Sequence, residues 1–377
     1  MQLMGSKWTV LLRVVTTFVM VAASLCAQDV RAVTLPNPYR VSVTPDPAAG
    51  DPRGAAIKAA MSRLLIRVTG DRNAPFDPAL QGMLGDAAKY LNSYGLDRQG
   101  QAQVGFIASQ VDQALVALQK PVWGPERPLT LLWVAVDDGN GGRALLGASD
   151  TPLPGLEPTP PGMTERLAAL RKDLLAVADE RGLPVTLPLL DGEDLNAVSF
   201  ADVWEGFEDR VASASARYRA DAVLIGRVRP GIVGEEIEWL LVSGTERETL
   251  AGFGLRDGLD AAGDKFAAQL ATVGGGGVAA VTVLGVKTSA DYGRVVSYLE
   301  QQSVLQSVDV DSFDNGVLSL RVTARGDARV LERVLELGGV LRPAAGNRPA
   351  GSTLVFEMAR RSEEHTSELQ SHHDLVC

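Results

Sequence analysis

Seven carboxylates stand close enough along the chain to work together: Asp137 and Asp138; Asp191, Glu193 and Asp194; Glu235 and Glu236. Two carboxyl groups, one protonated and one ionised, are what glycoside hydrolysis requires, so these positions define one functional class, a carboxylate-dependent hydrolase. All seven fall in predicted loops or turns, where acidic side chains ordinarily meet water. Asp138 and Asn140 also have the spacing of calcium ligands, but Gly142 interrupts the series and Ser149 stands in place of the closing glutamate. The stretch 137–142 therefore reads as a hairpin turn. Asp71, Arg72 and Asp77 form a further polar group that reads as a solvated loop. No residue is assigned as catalytic, cofactor-binding or metal-binding, and no cofactor is expected.

Chemistry that depends on histidine or cysteine is confined to the ends of the chain. His365, His372, His373 and Cys377 lie at the far end, and Cys26 lies near the start. Residues 33–360 contain neither type, which excludes thiolate nucleophiles, Ser-His-Asp triads, disulfides and the usual nitrogen and sulfur zinc sites there. Glu364, His365, His372 and His373 together offer metal donors. The segment 361–377 is, however, polar and aperiodic and resembles the translation of a sequencing adapter, so it is expected to be a disordered artefact.

Residues 1–32 read as a signal peptide: Lys7 and Arg13 supply positive charge, and 14–25 is apolar and uncharged. That run is shorter than the roughly 20 residues of a spanning helix. Cleavage is expected near Ala32 or Ala27, and Leu25 is too bulky to precede a lipidated Cys26. The expected location is the periplasm, with no transmembrane span after cleavage. A formal net charge of −10 without a basic stripe argues against nucleic acid as a partner.

The clearest structural signal lies over 200–242. Val203, Phe207, Val211, Ala214 and Tyr218 recur at three- and four-residue steps, which predicts one helix face, with Ser199 and Asp202 at its cap. The run from Ala222 to Val228 is too short and too β-branched for a helix, which predicts a buried strand. Pro230 and Gly231 mark a turn, and Ile237, Trp239 and Leu241 alternate along the strand that follows.

The fold class is α/β (α+β), three small mixed domains in series. Residues 33–120 form a small α+β domain. Its amphipathic helix runs through Ile57, Met61, Leu64, Leu65 and Val68 to Gly70, a weaker helix covers 78–89, strands cover 90–96 and 104–108, and a helix through Val111 closes it. Residues 121–273 form an α/β domain opened by a central strand over 129–136. In it, a helix through Leu167, Leu170, Leu174 and Ala178 stops at Gly182. The glycine run opens a hinge over 274–280. Residues 281–360 read β-α-β-β-α-β, a ferredoxin-like pattern, with Ser289 capping its first helix and a hairpin turn at Asn315 and Gly316.

Pro121-Val122-Trp123-Gly124, Arg127-Pro128 and the strand ending at Asp137-Asp138 resemble the signature of a bacterial family of exported proteins. Ala216-Arg217-Tyr218 and the block from Asp221 to Gly226 extend the likeness. The family is catalogued as the domain of unknown function two-thousand-and-sixty-six; the resemblance covers nearly all of 33–360 and implies no activity. The order of the middle elements, with 220–226 on the third strand, resembles the amino-terminal domain of the translocation protein TolB and related domains of curli-secretion and penicillin-binding-protein-activator lipoproteins. That likeness implies docking to other envelope proteins. The expected function is a non-enzymatic docking or scaffold module of the bacterial cell envelope with an envelope protein as partner; the alternative is a hydrolase acting on an envelope glycan.

Overall fold

The computed structural model describes residues 35–149, 162–232, 234–274, 276–344 and 353–359; the expected signal peptide and the segment 361–377 lie outside them. The described residues form a mixed α/β structure with three separate sheets.

The first sheet joins β1 (Arg40–Val43), β2 (Leu91–Leu96) and β3 (Ala102–Phe106), antiparallel in the order β1-β3-β2. Against it packs α1 (Pro52–Thr69), whose Ile57, Met61, Leu64, Leu65 and Val68 are all buried, as their spacing predicts. Asp51 caps α1 by accepting from the Gly54 amide, and Gly70, at φ 74°, ends it. The helix expected over 78–89 is broken into a 3-10 turn, α2 (Gln81–Gly85) and a second 3-10 turn. Leu80, Met83, Leu84 and Ala87 still reach the core, but Gly82 and Gly85 supply no helical preference to keep the segment continuous. α3 (Ala108–Ala117) closes this unit with Val111 and Leu115 turned inward.

The second unit comprises β4 (Thr130–Asp137), β5 (Arg143–Leu145), α4 (Met163–Arg181), β6 (Val185–Thr186), α5 (Gly192–Ala197), α6 (Phe200–Glu205) and α7 (Glu208–Ser215). It is completed by β7 (Ala222–Pro230), β8 (Glu235–Ser243), β9 (Glu246–Leu250) and α8 (Asp257–Leu270). Its sheet runs β5-β4-β7-β8-β9, with β6 beside the start of β4. The parallel pair β4 and β7 alternates between two cores. Leu132, Val134, Leu224 and Val228 face the core under α4 and α8, while Leu131, Trp133, Val223 and Ile225 face the one under α6 and α7. A strand covered on both faces is apolar at every position, which explains the unbroken run of β4. The single helix expected through Val203 and Tyr218 is two helices, because Gly206, at φ 83°, terminates α6. Val203 and Val211 are buried as expected, Phe207 is 56% exposed, and Ser199 and Asp202 form a capping box.

The third unit is β10 (Gly276–Leu284), α9 (Ser289–Glu300), β11 (Leu305–Asp314), β12 (Val317–Arg325), α10 (Ala328–Glu336), β13 (Leu341–Pro343) and β14 (Thr353–Met358), with sheet order β11-β12-β10-β14-β13. The β-α-β-β-α-β pattern holds as far as α10. A further strand, β13, then intervenes, so that β14 returns parallel to β10. Three residues are too few to show a strand period, which is why β13 escapes sequence inspection. Asn315 and Gly316, at φ 49° and 78°, form the expected turn. Thr288, rather than Ser289, caps α9, and Asp291 completes its capping box.

The hinge expected over 274–280 is corrected by strand pairing: residues 276–280 belong to β10, with Gly276 opposite Arg325 and Gly277 opposite Ala324. A Cβ on Gly276 would lie 2.7 Å from the Ala324 carbonyl oxygen, so close backbone approach, not flexibility, requires glycine there. One core runs from Phe266 and Leu270 of α8 to Val281, Leu320 and Leu331 of the third unit, whereas the first sheet has a core of its own. Among the described residues no helix is long and apolar enough to cross a membrane.

Candidate functional site: the cleft where the three units meet

The seven sequence-predicted carboxylates are engaged in local structure. Asp137 accepts from the Gly139 amide at 2.8 Å and from Arg143 Nε at 2.8 Å, and these donors hold its carboxyl below the usual carboxylate range. Asp138 Oδ1 accepts from the Asn140 and Gly142 amides at 2.7 and 2.8 Å, so it closes its own turn. Asp191, Glu193 and Asp194 gather around one cation: Arg217 reaches them at 2.7, 3.6 and 2.8 Å. The Arg217 hydrogen bonds and the Asp194 amide push the Asp191 carboxyl well down. Asp194, buried, also accepts from Tyr218 Oη at 2.6 Å and from the Leu190 amide at 2.8 Å. Glu235 meets Arg166 at 2.6 Å and Glu236 meets Arg229 at 3.5 Å. Six of the seven carboxylates thus lie within 4 Å of an arginine, and Asp138 is held by backbone amides. Among the described residues no group of three or more acidic, histidine or cysteine side chains could hold a metal ion. Arg72 and Asp77 are more than a solvated loop: Arg72 pairs with Asp264 of α8 at 2.8 Å, and Asp77 pairs with Lys120.

The connector over 121–128 forms a joint between the first and second units. Arg127 is fully buried and donates from Nε to Gly124 O at 2.8 Å and from Nη1 to Gly182 O at 3.1 Å. Its Nη2 donates to Arg67 O and Trp123 O at 2.9 and 3.1 Å, and the guanidinium lies 3.8 Å from the Trp123 ring centroid. Burial, together with the nearby Arg67 and Arg181, pushes its pKa down to about 9. Arg67 reaches Arg40 O at 2.9 Å and Asp179 Oδ2 at 3.0 Å, and Arg181 reaches Gly70 O at 2.9 Å and Asp264 Oδ1 at 2.6 Å. Gly182, at φ 65°, has no room for a side chain: its Cβ would lie 2.8 Å from Arg127 Nη1. The Val122 amide donates to Thr272 O and the Thr272 amide to Val122 O, at 2.8 and 3.0 Å, pinning the connector beside the end of α8.

Glu126 fastens the connector to the third unit. It is 5% exposed, and its carboxylate accepts from the Ser303 amide at 2.7 Å and from Ser303 Oγ at 2.5 Å. Between these attachments lies a cleft of about 670 Å³ bounded by α3, the connector, the end of α8, the start of β10 and the adjoining ends of β11 and β12. Val116, Val122, Leu270 and Val304 supply apolar wall. Val116 is 38% exposed, and Val273, beside the cleft residue Gly274, is 50% exposed.

Two charged side chains from different units line this cleft. Asp112, on α3, accepts a 2.5 Å hydrogen bond from Tyr39 Oη. Burial pushes the Asp112 carboxyl up, against the Tyr39 hydrogen bond and the Arg325 charge, which pull it down. Burial and the Asp112 hydrogen bond push the Tyr39 phenol up as well. Arg325, at the end of β12, is exposed and close enough to act electrostatically on both, yet makes no side-chain hydrogen bond or ion pair among the described residues. Sequence inspection passes over Tyr39, Asp112, Glu126 and Arg325 because each comes from a separate segment with no local motif. Only the fold brings them to one place.

Residues 32–124 match the family described as Domain of unknown function (DUF8605). This differs from the domain of unknown function two-thousand-and-sixty-six suggested by the sequence pattern, and it covers the first unit and the connector as far as Gly124. No curated protein matches the chain, and no solved structure does. The comparisons thus identify an uncharacterised domain over residues 32–124.

Proposed function

We propose that the chain is a non-enzymatic docking module of the bacterial cell envelope, exported to the periplasm, which takes a partner protein in the junction cleft. The carrying observation is the cleft itself: a largely apolar space at a braced three-way junction, with Val116 and Val273 open to solvent beside it. The positive and apolar segments over 1–32 support export, and the resemblance of 220–226 to the TolB amino-terminal domain supports docking. Trp239 is not a contact candidate, since it is 1% exposed and its Nε1 donates to Gly254 O at 3.0 Å.

The test places a photo-reactive side chain at Val116 in the full chain, in cells, with the same group at Ile232 as a control outside the cleft. Ile232 is 99% exposed, so it reports random encounters. The expected result is a discrete adduct with one envelope protein from Val116 and none from Ile232. Adducts that are equal from both positions, or absent from both, would overturn the proposal and redirect the search to glycan hydrolysis.

A further inference from the structure

We infer that the occupant of the cleft is an extended, apolar, locally uncharged stretch of a partner polypeptide, with one of its peptide groups held between Asp112 and Arg325. This rests on the docking proposal and specifies the chemistry of its partner.

The argument is one of charge and hydrogen-bond complementarity. Asp112 offers acceptor oxygens on one wall, and Arg325 offers donors that are unused among the described residues, with no ion pair closed between the two. A third charged group, Glu126, already receives two hydrogen bonds from Ser303. An anionic ligand would meet two carboxylates, Asp112 and Glu126, and a cationic ligand would meet Arg325. A neutral group that carries both a donor and an acceptor meets neither repulsion. The peptide unit is such a group: its N–H can donate to Asp112 and its C=O can accept from Arg325. The neighbouring walls formed by Val116, Val122, Leu270 and Val304 suit apolar side chains on either side of that unit. A space of about 670 Å³ falls within the ordinary range for ligand pockets and accommodates a few residues, not a folded element. Polar groups supplied by two separate units also define a direction for the bound chain, because donor and acceptor are not interchangeable.

The test uses a displayed library of random decapeptides selected against the full chain, followed by fluorescence anisotropy with labelled synthetic peptides from the enriched set. The expected consensus is apolar at alternating positions and free of charge at its centre. Arg325→Gln should weaken binding about tenfold or more, in line with loss of hydrogen bonds from a charged donor, while Arg325→Lys retains most of it. Ala117→Trp, at an exposed cleft position, should block binding by filling space. Melting temperatures control for folding, and Arg325→Gln breaks no hydrogen bond or ion pair made by that side chain among the described residues. Enrichment of strongly basic or acidic peptides, or binding indifferent to Arg325→Gln and Ala117→Trp, would overturn the inference. If Val116 still captures an envelope protein in cells while the peptides fail, docking stands and the peptide-backbone inference alone falls.

Discussion

The connector over 121–128 borders two regions that use arginine in opposite ways. In the joint, Arg67, Arg127 and Arg181 are 4%, 0% and 0% exposed, and each places guanidinium donors on carbonyl oxygens of neighbouring segments. In the cleft, Arg325 is exposed and makes no side-chain hydrogen bond or ion pair among the described residues. A buried guanidinium surrounded by carbonyls is part of the architecture, since removing it strands acceptors as well as a cavity. An exposed guanidinium that bonds to no side chain or carbonyl among the described residues can be removed at little cost to the fold, so its placement beside an apolar space is informative about binding. The difference separates what braces the molecule from what the molecule can offer.

The sharpest way to break that contrast is to exchange the two arginines in turn. Arg127→Met preserves an apolar stem but leaves the carbonyls of Gly124, Gly182, Arg67 and Trp123 buried without this donor. Urea unfolding should show a loss of about 4 kcal/mol, against less than about 0.5 kcal/mol for Arg325→Gln. Equal losses would mean that the cleft is also structural. Next in size is Gly70→Ala, where φ is 74° and a Cβ would lie 2.1 Å from Ala267 Cβ. A loss of about 3 kcal/mol is expected from strain plus collision. Gly85→Ala, at the end of α2 with nothing within 4 Å, should cost nothing and gain up to about 1 kcal/mol in the same assay.

How much of this was legible in the chain depends on the range of the interactions. The strands at Ala222 to Val228 and around Trp239, and the helix through Ile57 to Val68, follow from local periodicity and appear where expected. The hairpin at Asn315 and Gly316 follows from turn chemistry. Gly276 misleads because a glycine demanded by a close neighbouring strand looks the same in sequence as one that permits flexibility. The Trp123 and Arg127 motif is visible as a pattern, but its meaning is not: the carbonyls it binds belong to segments up to 60 residues away. The cleft is least legible, since Asp112 and Arg325 are brought together only by the packing of separate units.

Asp221 provides a prediction of intermediate size that adds pH to the contrast. Its Oδ2 accepts from the Leu129 amide at 2.7 Å, tying the starts of β4 and β7. Burial pushes its carboxyl from the ordinary 3.8 up to about 6. The folded chain therefore binds this proton more tightly than the unfolded chain does. Its contribution to stability falls as pH rises from about 4 to about 6 and stays low above that window. Asp221→Asn, which retains an acceptor oxygen, should be more stable than the parent by about 2 kcal/mol at pH 8, with no gain near pH 3.5. An equal gain at both values would show that the effect is not titration.

Glu235→Gln should have the smallest effect and bears directly on the hydrolase alternative. Glu235 lies 2.6 Å from Arg166, with 43% of its side chain exposed, so the pair is screened by water. Its loss should change stability by less than about 0.5 kcal/mol and vanish in about 1 M salt. A glycan hydrolase working through this carboxylate would lose turnover on the same substitution even though the fold remained unchanged. Partner capture through Val116 that is indifferent to Glu235→Gln but abolished by Ala117→Trp would locate the working surface at the cleft. Capture that followed Glu235 instead would move it to the end of the second sheet, and the division between bracing and binding arginines would no longer mark the functional site.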